Sequence, residues 1–380
     1  MTFQKLETGA GVHELMNVLA FNSGSSSLKF GLYLVEEHRL TTLFSETIAN
    51  VDQELAIARV IKNIADSNLR APDVIGHRIV HSGPRLQQHC LIDESVMLHL
   101  ESAIAFAPLH MPAALSLIRL AQAYFPGLPQ VACFDTSFHA DLPDVARVLP
   151  IPKEYQAERI QRYGFHGLSC ESIIHQLGVD TPGRMVIAHL GNGASVTAVK
   201  DGKSIDTSMG LTPAGGVMMG TRSGDLDPGV LLYLLREKKI DVNSLDEMIN
   251  HRSGLLGVSG QSADMRDLQE SSAVNADARL AVQMFCYSVQ KQVAAMISVL
   301  DGIDMLVFTG GIGENHASVR SGICKGLSWM GVHLDEVRNG SKSHFVKKSI
   351  GNDKSRCRVA VLESLEDEQI VHHSRELIVP

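Results

Sequence analysis

The sequence predicts an α/β protein made of two related halves. Three observations carry this: an apolar strand at 18–33 that breaks into a glycine and hydroxyl turn and then resumes, a second copy of that plan at 185–199, and alternating strand-like and helix-like spacing through the rest of the 380 residues. In the first copy, Asn22-Ser-Gly-Ser-Ser-Ser-Leu-Lys29 joins two apolar stretches, the pattern of a hairpin. Gly24 lets backbone approach a ligand closely, Ser25, Ser26 and Ser27 offer hydroxyl donors, Lys29 adds positive charge, and Asn22 offers an amide oxygen suited to a metal-bound water. Such a turn is equipped for phosphate. Serine and glycine are also ordinary turn residues, so one copy alone leaves a plain hairpin open.

The second copy, Met185-Val-Ile-Ala-His-Leu-Gly-Asn-Gly-Ala-Ser-Val-Thr-Ala-Val199, strengthens the reading. Setting Gly24 beside Gly193 puts Ser27 in register with Val196, as an ancient duplication would. A third glycine turn follows a third apolar run in Met305-Leu-Val-Phe-Thr-Gly-Gly-Ile-Gly-Glu-Asn315. Three such turns over two related halves imply one nucleotide held in a cleft between two domains. Other phosphate folds are set aside on the same residues. No Gly-x4-Gly-Lys-Ser/Thr occurs, and Gly311-Ile-Gly313 lacks the third glycine of the dinucleotide fingerprint, position 316 being His. A strand-turn-strand hairpin is also the wrong context for a Rossmann turn, which opens a helix.

The remaining elements follow in order. Helical spacing is expected at 54–67, a strand at 74–80, a helix at 112–124 with Pro112 in its first turn, and a strand at 128–134 ending at Asp135. The second half continues the alternation, with long helices expected at 227–237 and 276–300. Paired prolines at 150 and 152 mark the expected boundary between an N-terminal domain, 1–150, and a C-terminal one, 151–364, with the tail from about 365 to 380 returning to the first.

Composition fits an enzyme of the cytoplasm. A hydrophobic content of 44% supplies core for two domains, and a net charge of −8 gives no footprint for nucleic acid. The apolar stretches are too short to cross a bilayer, and acidic residues interrupt 1–16 where a signal peptide needs a continuous apolar segment. The six cysteines are scattered with no Cys-x2-Cys pair, which argues for reduced thiols and against structural zinc.

Polar clusters at predicted strand ends are where chemistry is expected: Gly76-His-Arg-Ile-Val-His81, Pro108-Leu-His-Met-Pro112, Phe134-Asp-Thr-Ser-Phe-His139, Arg162-Tyr-Gly-Phe-His-Gly167 and Met219-Gly-Thr-Arg-Ser-Gly-Asp-Leu-Asp-Pro228. Each has a plainer explanation. A histidine beside glycine is more often a hydrogen-bonded structural residue, Asp225 and Asp227 can cap the next helix, and His77 and His81, four apart on a strand, need a bend to share a metal.

Asn22-Ser-Gly-Ser-Ser-Ser-Leu-Lys29, Arg162-Tyr-Gly-Phe-His-Gly167, His189-Leu-Gly-Asn-Gly-Ala-Ser195, Asp206-Thr-Ser-Met-Gly210, Met219-Gly-Thr-Arg-Ser-Gly-Asp225 and Thr309-Gly-Gly-Ile-Gly-Glu-Asn315 resemble the signature segments of the acetate kinase family, in the same order, and the resemblance runs from residue 18 to about 331. The resemblance implies an actin-like, sugar-kinase and Hsp70-like two-domain fold and reversible transfer of phosphoryl from ATP to acetate. It implies Mg²⁺, or Mn²⁺, as the metal, with ATP and ADP as nucleotides and a homodimer as the assembly. Carried over, Asp135, His166 and Arg222 match the catalytic set. Arg78 and His110 face the acid, while Val80, Leu109, Phe165 and Pro213 line the pocket for its methyl group. Lys29, His189, Leu190, Gly191, Asn192, Gly193, Asp264, Met265, Arg266, Gly311, Ile312, Gly313, Glu314 and Asn315 match the nucleotide segments. Asn22 and Glu368 match the metal site, with Glu366 or Asp367 as alternatives to Glu368. Met111 and Ser82 depart from the family pattern beside the expected acyl pocket, which puts the preferred acid in question.

The reaction's chemistry agrees with these roles. A carboxylic acid has a pKa of roughly 4, so the nucleophile is already ionised and needs no base. Asp135 is therefore expected to orient Arg222 or a metal-bound water instead of taking a proton. Propionate or butyrate kinase is the nearest alternative, and a nucleotide-driven Hsp70-like ATPase is the rival from another class. Arg78, His110, His166 and Arg222 together discriminate, because a clamp of that kind has no purpose when water is the only acceptor.

Overall fold

The computed structural model describes residues 15–24, 27–37, 39–49, 52–108, 110–341 and 349–379. Ser25, Ser26 and Leu109 lie outside the described residues, as does 1–14.

Two sheets form the frame. The first contains β1 (Met16–Ser23), β2 (Ser27–Glu36), β3 (Arg39–Ala49), β4 (Val74–Ile79), β5 (Cys90–Leu91) and β6 (Gln130–Phe134), in the order β3-β2-β1-β4-β6-β5. The second contains β7 (Arg184–Leu190), β8 (Ala194–Lys200), β9 (Lys203–Thr207), β10 (Met305–Thr309) and β11 (Arg358–Val361), in the order β11-β10-β7-β8-β9. Laid side by side, both run antiparallel, antiparallel, parallel, parallel: β3-β2-β1-β4-β6 corresponds to β9-β8-β7-β10-β11. Even the irregularities match, since β2 slips against β3 at Leu32/Tyr33 and β8 slips against β9 at Ala198/Val199. The duplication read from two glycine turns is therefore a duplication of whole sheets, in the actin-like arrangement.

The helices that build the layers are α1 (Gln53–Asp66), α2 (Met111–Tyr124), α3 (Gly167–Leu177), α4 (Pro228–Glu237), α5 (Met265–Ser271), α6 (Ala276–Val299), α7 (Gly310–Asn315) and α8 (Glu366–Ile378). Sequence chemistry sets their starts. Asp52 caps α1 by accepting the Leu55 N–H at 2.9 Å, Asp227 caps α4 through Gly229 at 2.8 Å, and Asn275 caps α6 through Asp277 at 2.9 Å. In α6, Ala278, Ala281, Phe285, Val289, Val293 and Met296 recur at helical spacing and are all buried against the second sheet. The 305–315 segment differs from its expectation: β10 leads straight into α7, with Gly310 at φ +76°, so the third glycine turn opens a short helix.

On the outer face of the first sheet, Ile57 and Val60 of α1 and Leu117 and Ala121 of α2 pack with Leu19, Phe21, Phe30 and Ile75. Between the sheets lie α8 and α3. Ile370 and Val371 of α8 join Val18, Ala20, Val74 and Val131 of the first sheet, while Ile173 and Leu177 of α3 join Met185, Ile187 and Val307 of the second. Gly76 admits α8 closely, because a Cβ there would meet Ser374 Oγ at 2.3 Å. No helix among the described residues is long and apolar enough to cross a membrane.

Candidate active site

Parallel strands aim their C-terminal ends at one place, and in open α/β sheets that is where ligands bind. Asn22 stands near the end of β1, Arg78 near the end of β4, Asp135 directly after β6, His189 near the end of β7, and Glu366 opens α8 after β11. Arg78, Asp135, His189 and Glu366, with Ser23, Gly24, Val80, His110, Phe165, His166, Gly191, Asn192, Gly193, Pro213 and Arg222, line a cavity of about 200 Å³, and Asn22 joins them through hydrogen bonds to Arg78 and Glu366. That is below the size of pockets for drug-like ligands and suits a small acid with one phosphoryl group.

One wall is an ion-pair network. Arg78 donates Nε to both carboxylate oxygens of Asp135, at 3.2 and 3.0 Å, and Nη2 to Oδ2 at 2.7 Å. Its Nη1 donates to Asn22 Oδ1 at 3.0 Å and lies 3.4 Å from Glu366. Asn22 in turn donates its amide to Glu366 at 3.0 Å and Asp367 at 2.8 Å. Burial pushes the Asp135 carboxyl up to about 6 against the pull of Arg78, with Glu366 adding to the rise. For Glu366, burial is outweighed by Arg78, His189 and Asn22, and its carboxyl is held below the usual range. The guanidinium that Asp135 orients is thus Arg78. Arg222, which the sequence reading coupled to Asp135, is held instead by the Pro213 carbonyl at 3.0 Å.

The opposite wall carries Arg222 and two histidines. Arg222 has no carboxylate partner among the described residues, and burial together with Arg78 draws its pKa down. His166 sits at φ +59°, a left-handed conformation uncommon outside glycine and enriched at functional sites, at the start of α3. Its Nδ1 meets Ser195 Oγ at 3.0 Å, and its ring stacks on His189 with centroids 4.1 Å apart. His189 Nδ1 meets Ser169 Oγ at 2.8 Å. Gly193 leaves the space between them open: a Cβ there would lie 3.2 Å from His166 Nε2 and 3.3 Å from Arg222 Nη1. His110 completes the wall, its Nδ1 buried without a hydrogen-bond partner.

The other expected residues divide by their surroundings. Val80, Phe165 and Pro213 line the cavity. Met111 does not: it is fully buried in the core with Ile79, Leu100 and Phe134. Ser82 is buried in a hydroxyl chain with Thr136 at 2.8 Å and the Gly83 carbonyl. Neither departure from the family pattern lines the cavity. Lys29 pairs with Asp367 at 2.6 Å. Leu190 and Met265 are buried in the core, so only their backbones are available to a nucleotide, while Asp264 caps α5 through the Arg266 N–H at 2.7 Å. Arg266 and Gly311 are exposed and Ile312 and Gly313 buried. Glu314 accepts from Gly310 at 2.9 Å and Ser364 at 3.0 Å, and Asn315 donates to Gly311 O at 2.9 Å, both fixing α7. Glu368 stands off the cavity, half-buried near Asp367, Lys29 and His175. In a helix, two residues along turns the side chain by about 200°, so Glu366 faces the cavity and Glu368 does not.

Other clusters are structural. His77 bonds Gln130 at 2.7 Å and His81 bonds the Leu211 carbonyl at 3.2 Å, so the two share no ligand. Arg162 ties Ala146, Thr207 and Met209 carbonyls together. Asp225 accepts the Gly216 N–H. Sequence reasoning missed Ser169 and Ser195, the partners of the two stacked histidines, although Ser195 ends one quoted motif and Ser169 lies two residues past another.

Burial holds His77, His81, His110, His139 and His189 at about 4. Between pH 6.5 and 4 the unfolded chain therefore binds protons that the folded chain refuses, so stability present above about 6.5 is lost as pH falls toward 4. Asp135, Asp206, Glu314 and Glu368, raised by burial, work the other way over part of this range, but they are outnumbered by these five histidines together with His89, His166, His316 and His372, which burial also lowers. Urea midpoints should fall clearly between pH 7 and pH 5; a flat midpoint would mean these rings are not held neutral.

The chain as a whole is similar to known proteins. An acetate kinase from Chloroherpeton thalassium is 39% identical over 402 aligned positions, covering 93% of this chain and 96% of its own. One from Acetivibrio thermocellus is 36% identical, covering 96% and 99%. Among solved structures, Porphyromonas gingivalis acetate kinase superposes with a TM-score of 0.82 at 33% identity, covering 96% of this chain and all of the other. A propionate kinase from Francisella tularensis gives 0.86 at 34%, covering 95% and 100%. The acetokinase family model matches residues 44–372, and with relatives 36–39% identical over nearly the whole chain the chain belongs to the acetokinase family.

Proposed function

We propose that the protein transfers the γ-phosphoryl group of ATP to acetate, reversibly, giving acetyl phosphate and ADP. The observation that carries this reading is the placing of Arg78 and Arg222 across a cavity whose apolar side, among the described residues, is Val80, Phe165 and Pro213. Acetate would lie with its carboxylate on Arg78 and its methyl group against those three. Its oxygen attacks phosphorus as the bond to ADP breaks and ADP leaves with the electron pair. Transfer of this kind depends on positioning and on meeting charge at the equatorial oxygens. Arg222 supplies a fixed positive charge there. His166, neutral, turns Nε2 toward the space beside Gly193 and donates there in the tautomer whose Nδ1 accepts from Ser195 Oγ. The hairpin 190–194, α5 and α7 would take the nucleotide, and closure of the two sheets' domains, 1–150 with 365–380 and 151–364, would bring ATP to the acid.

Asn22, Glu366 and the neighbouring Asp367 bring side-chain oxygens to the cleft, with the Asn22 oxygen accepting from Arg78 and its amide donating to the two carboxylates, and such oxygen ligands suit a hard divalent cation that keeps most of its waters and phosphate ligands. Mg²⁺ fits this set, as does Mn²⁺, with Asn22 and Glu366 holding it. When bound, the ion neutralises charge on the β- and γ-phosphates.

Measuring ADP release with hydroxylamine trapping of the acyl phosphate, over acetate, propionate and butyrate, tests the reading. Acyl phosphate formed from none of the acids would end it. A second acid is favoured by the propionate kinase relative. One methylene is worth only about 1–3 kcal/mol in such a pocket, so propionate should also react. Val80→Ala enlarges the wall and should move the kcat/KM ratio toward propionate; a ratio unchanged within about twofold would remove Val80 from the acyl pocket.

The assembly we infer is a homodimer. None of the ten residues of α4 is buried, and Val230, Leu232 and Tyr233 on it, with Leu280, Met284 and Tyr287 on α6, are exposed. Apolar surface of this extent marks an interaction site. Sedimentation should give a dimer, and Leu232→Asp with Tyr233→Asp a monomer; an unchanged dimer would exclude α4 from the interface. The six free thiols support a reducing, cytoplasmic setting.

A further inference from the structure

Away from the cavity, a carboxylate is shared between two histidines from different parts of the chain. Glu171, on α3, accepts from His373 Nε2, on α8, at 2.8 Å, and lies 3.5 Å from Nε2 of His89, which precedes β5. The two imidazoles lie against each other with centroids 3.8 Å apart, and the His89 ring also faces Phe134 at 6.3 Å. All three side chains are largely shielded from solvent.

Their ligand atoms lie within 4.8 Å of one another, as in a metal site. His89 cannot serve in one. Its Nδ1 accepts the Phe134 N–H at 3.0 Å, so the neutral ring carries its proton on Nε2, the nitrogen turned toward Glu171. The cluster is a hydrogen-bonded clasp with the anion at its centre. Burial would raise the Glu171 carboxyl, but the bonds from His373 and His89 prevail and hold it at about 2.

What the clasp joins gives it meaning. Phe134, bonded to His89, immediately precedes Asp135. The helix that carries Glu171 begins at His166, and its first N–H, on Gly167, donates to the Asp135 carbonyl at 2.8 Å; a Cβ at Gly167 would lie 2.3 Å from that oxygen. The helix that carries His373 begins with Glu366. We propose that Glu171 is a positioning residue for phosphoryl transfer, its carboxylate tying β6, α3 and α8 together so that Asp135, His166 and Glu366 meet at one cavity. This rests on the catalytic reading of those three residues.

Glu171→Gln keeps size but loses the charge and one acceptor. It should lower kcat by about 10- to 100-fold, the scale of a displacement near 1 Å, while the KM for acetate, set by Arg78, stays within about threefold. In the ligand-free protein, amide exchange at 134–136 and 364–368 should quicken while β8 is unchanged. His373→Leu should share these effects and His373→Gln, which retains a donor, should escape them; this pair carries the test if Glu171→Gln does not fold. The double variant Glu171→Gln/His373→Leu should be no worse than the poorer single one, because the groups act as a unit. Wild-type kcat and exchange in folded His373→Leu, or multiplicative losses in the double variant, would overturn the proposal. Arg222→Ala, measured alongside, separates the two readings: an impaired Arg222→Ala with a normal clasp variant defeats the clasp alone, whereas an active Arg222→Ala defeats the site and the clasp with it.

Discussion

Arg222→Ala is expected to lower kcat by on the order of 10³ while ATP affinity stays within a few-fold, by analogy with arginine fingers acting on a moving phosphoryl group. The geometry separates catalysis from folding at this residue. Among the described residues the Arg222 side chain holds only the Pro213 carbonyl and touches Met219 Sδ, so its removal breaks little. It is a desolvated cation, repelled by Arg78 and without a carboxylate partner among the described residues. The variant should therefore match or exceed wild-type thermal stability, as expected where charge is held for function at a cost to the fold. Arg222→Lys should recover little, because a point charge cannot present the planar fork of donors. Single-turnover phosphoryl transfer is the measurement, and near-normal kcat in the folded alanine variant removes Arg222 from the mechanism.

Much of this site was legible in the sequence because its residues sit where regular elements stop. Arg78, Asp135 and His189 fall at or next to strand ends that apolar runs make visible, and glycines around 24 and 193 mark the hairpins. Legibility failed where helical phase or long-range packing decides. Glu366, Asp367 and Glu368 are chemically alike in the sequence, and only the rotation of α8 tells which faces Asn22 and Arg78. Met111 lies beside His110 in the chain, yet a helix begins between them: His110 stands just before it at the cavity and Met111 turns into the core. Residue adjacency carried the wrong implication there. The Glu171 cluster was invisible for a related reason, since its members are 82 and 202 residues apart along the chain.

Asp135→Asn is the second variant with a large expected effect, and it bears on what the aspartate does. The side chain makes three contacts to Arg78, two of them to one oxygen. Asparagine keeps the shape and one acceptor but no charge, leaving Arg78 drawn toward Glu366 at 3.4 Å and away from the acid. Truncating one partner of a buried, hydrogen-bonded charge pair typically costs roughly 2–5 kcal/mol, so kcat/KM for acetate should fall on the order of 10²–10³. In the wild type, kcat/KM reports the free enzyme and should carry an acid limb near pH 6, where protonation of Asp135 releases Arg78; the limb should vanish in the asparagine variant. Both features would also accompany a general base, so the deciding measurement is the solvent isotope effect on kcat. A carboxylate nucleophile has no proton to lose, and an Asp135 that only orients Arg78 moves none, so kcat in D₂O should nearly equal kcat in H₂O under conditions where chemistry limits the rate. A clear isotope effect that disappears in Asp135→Asn would make the aspartate a proton carrier and overturn the orienting role.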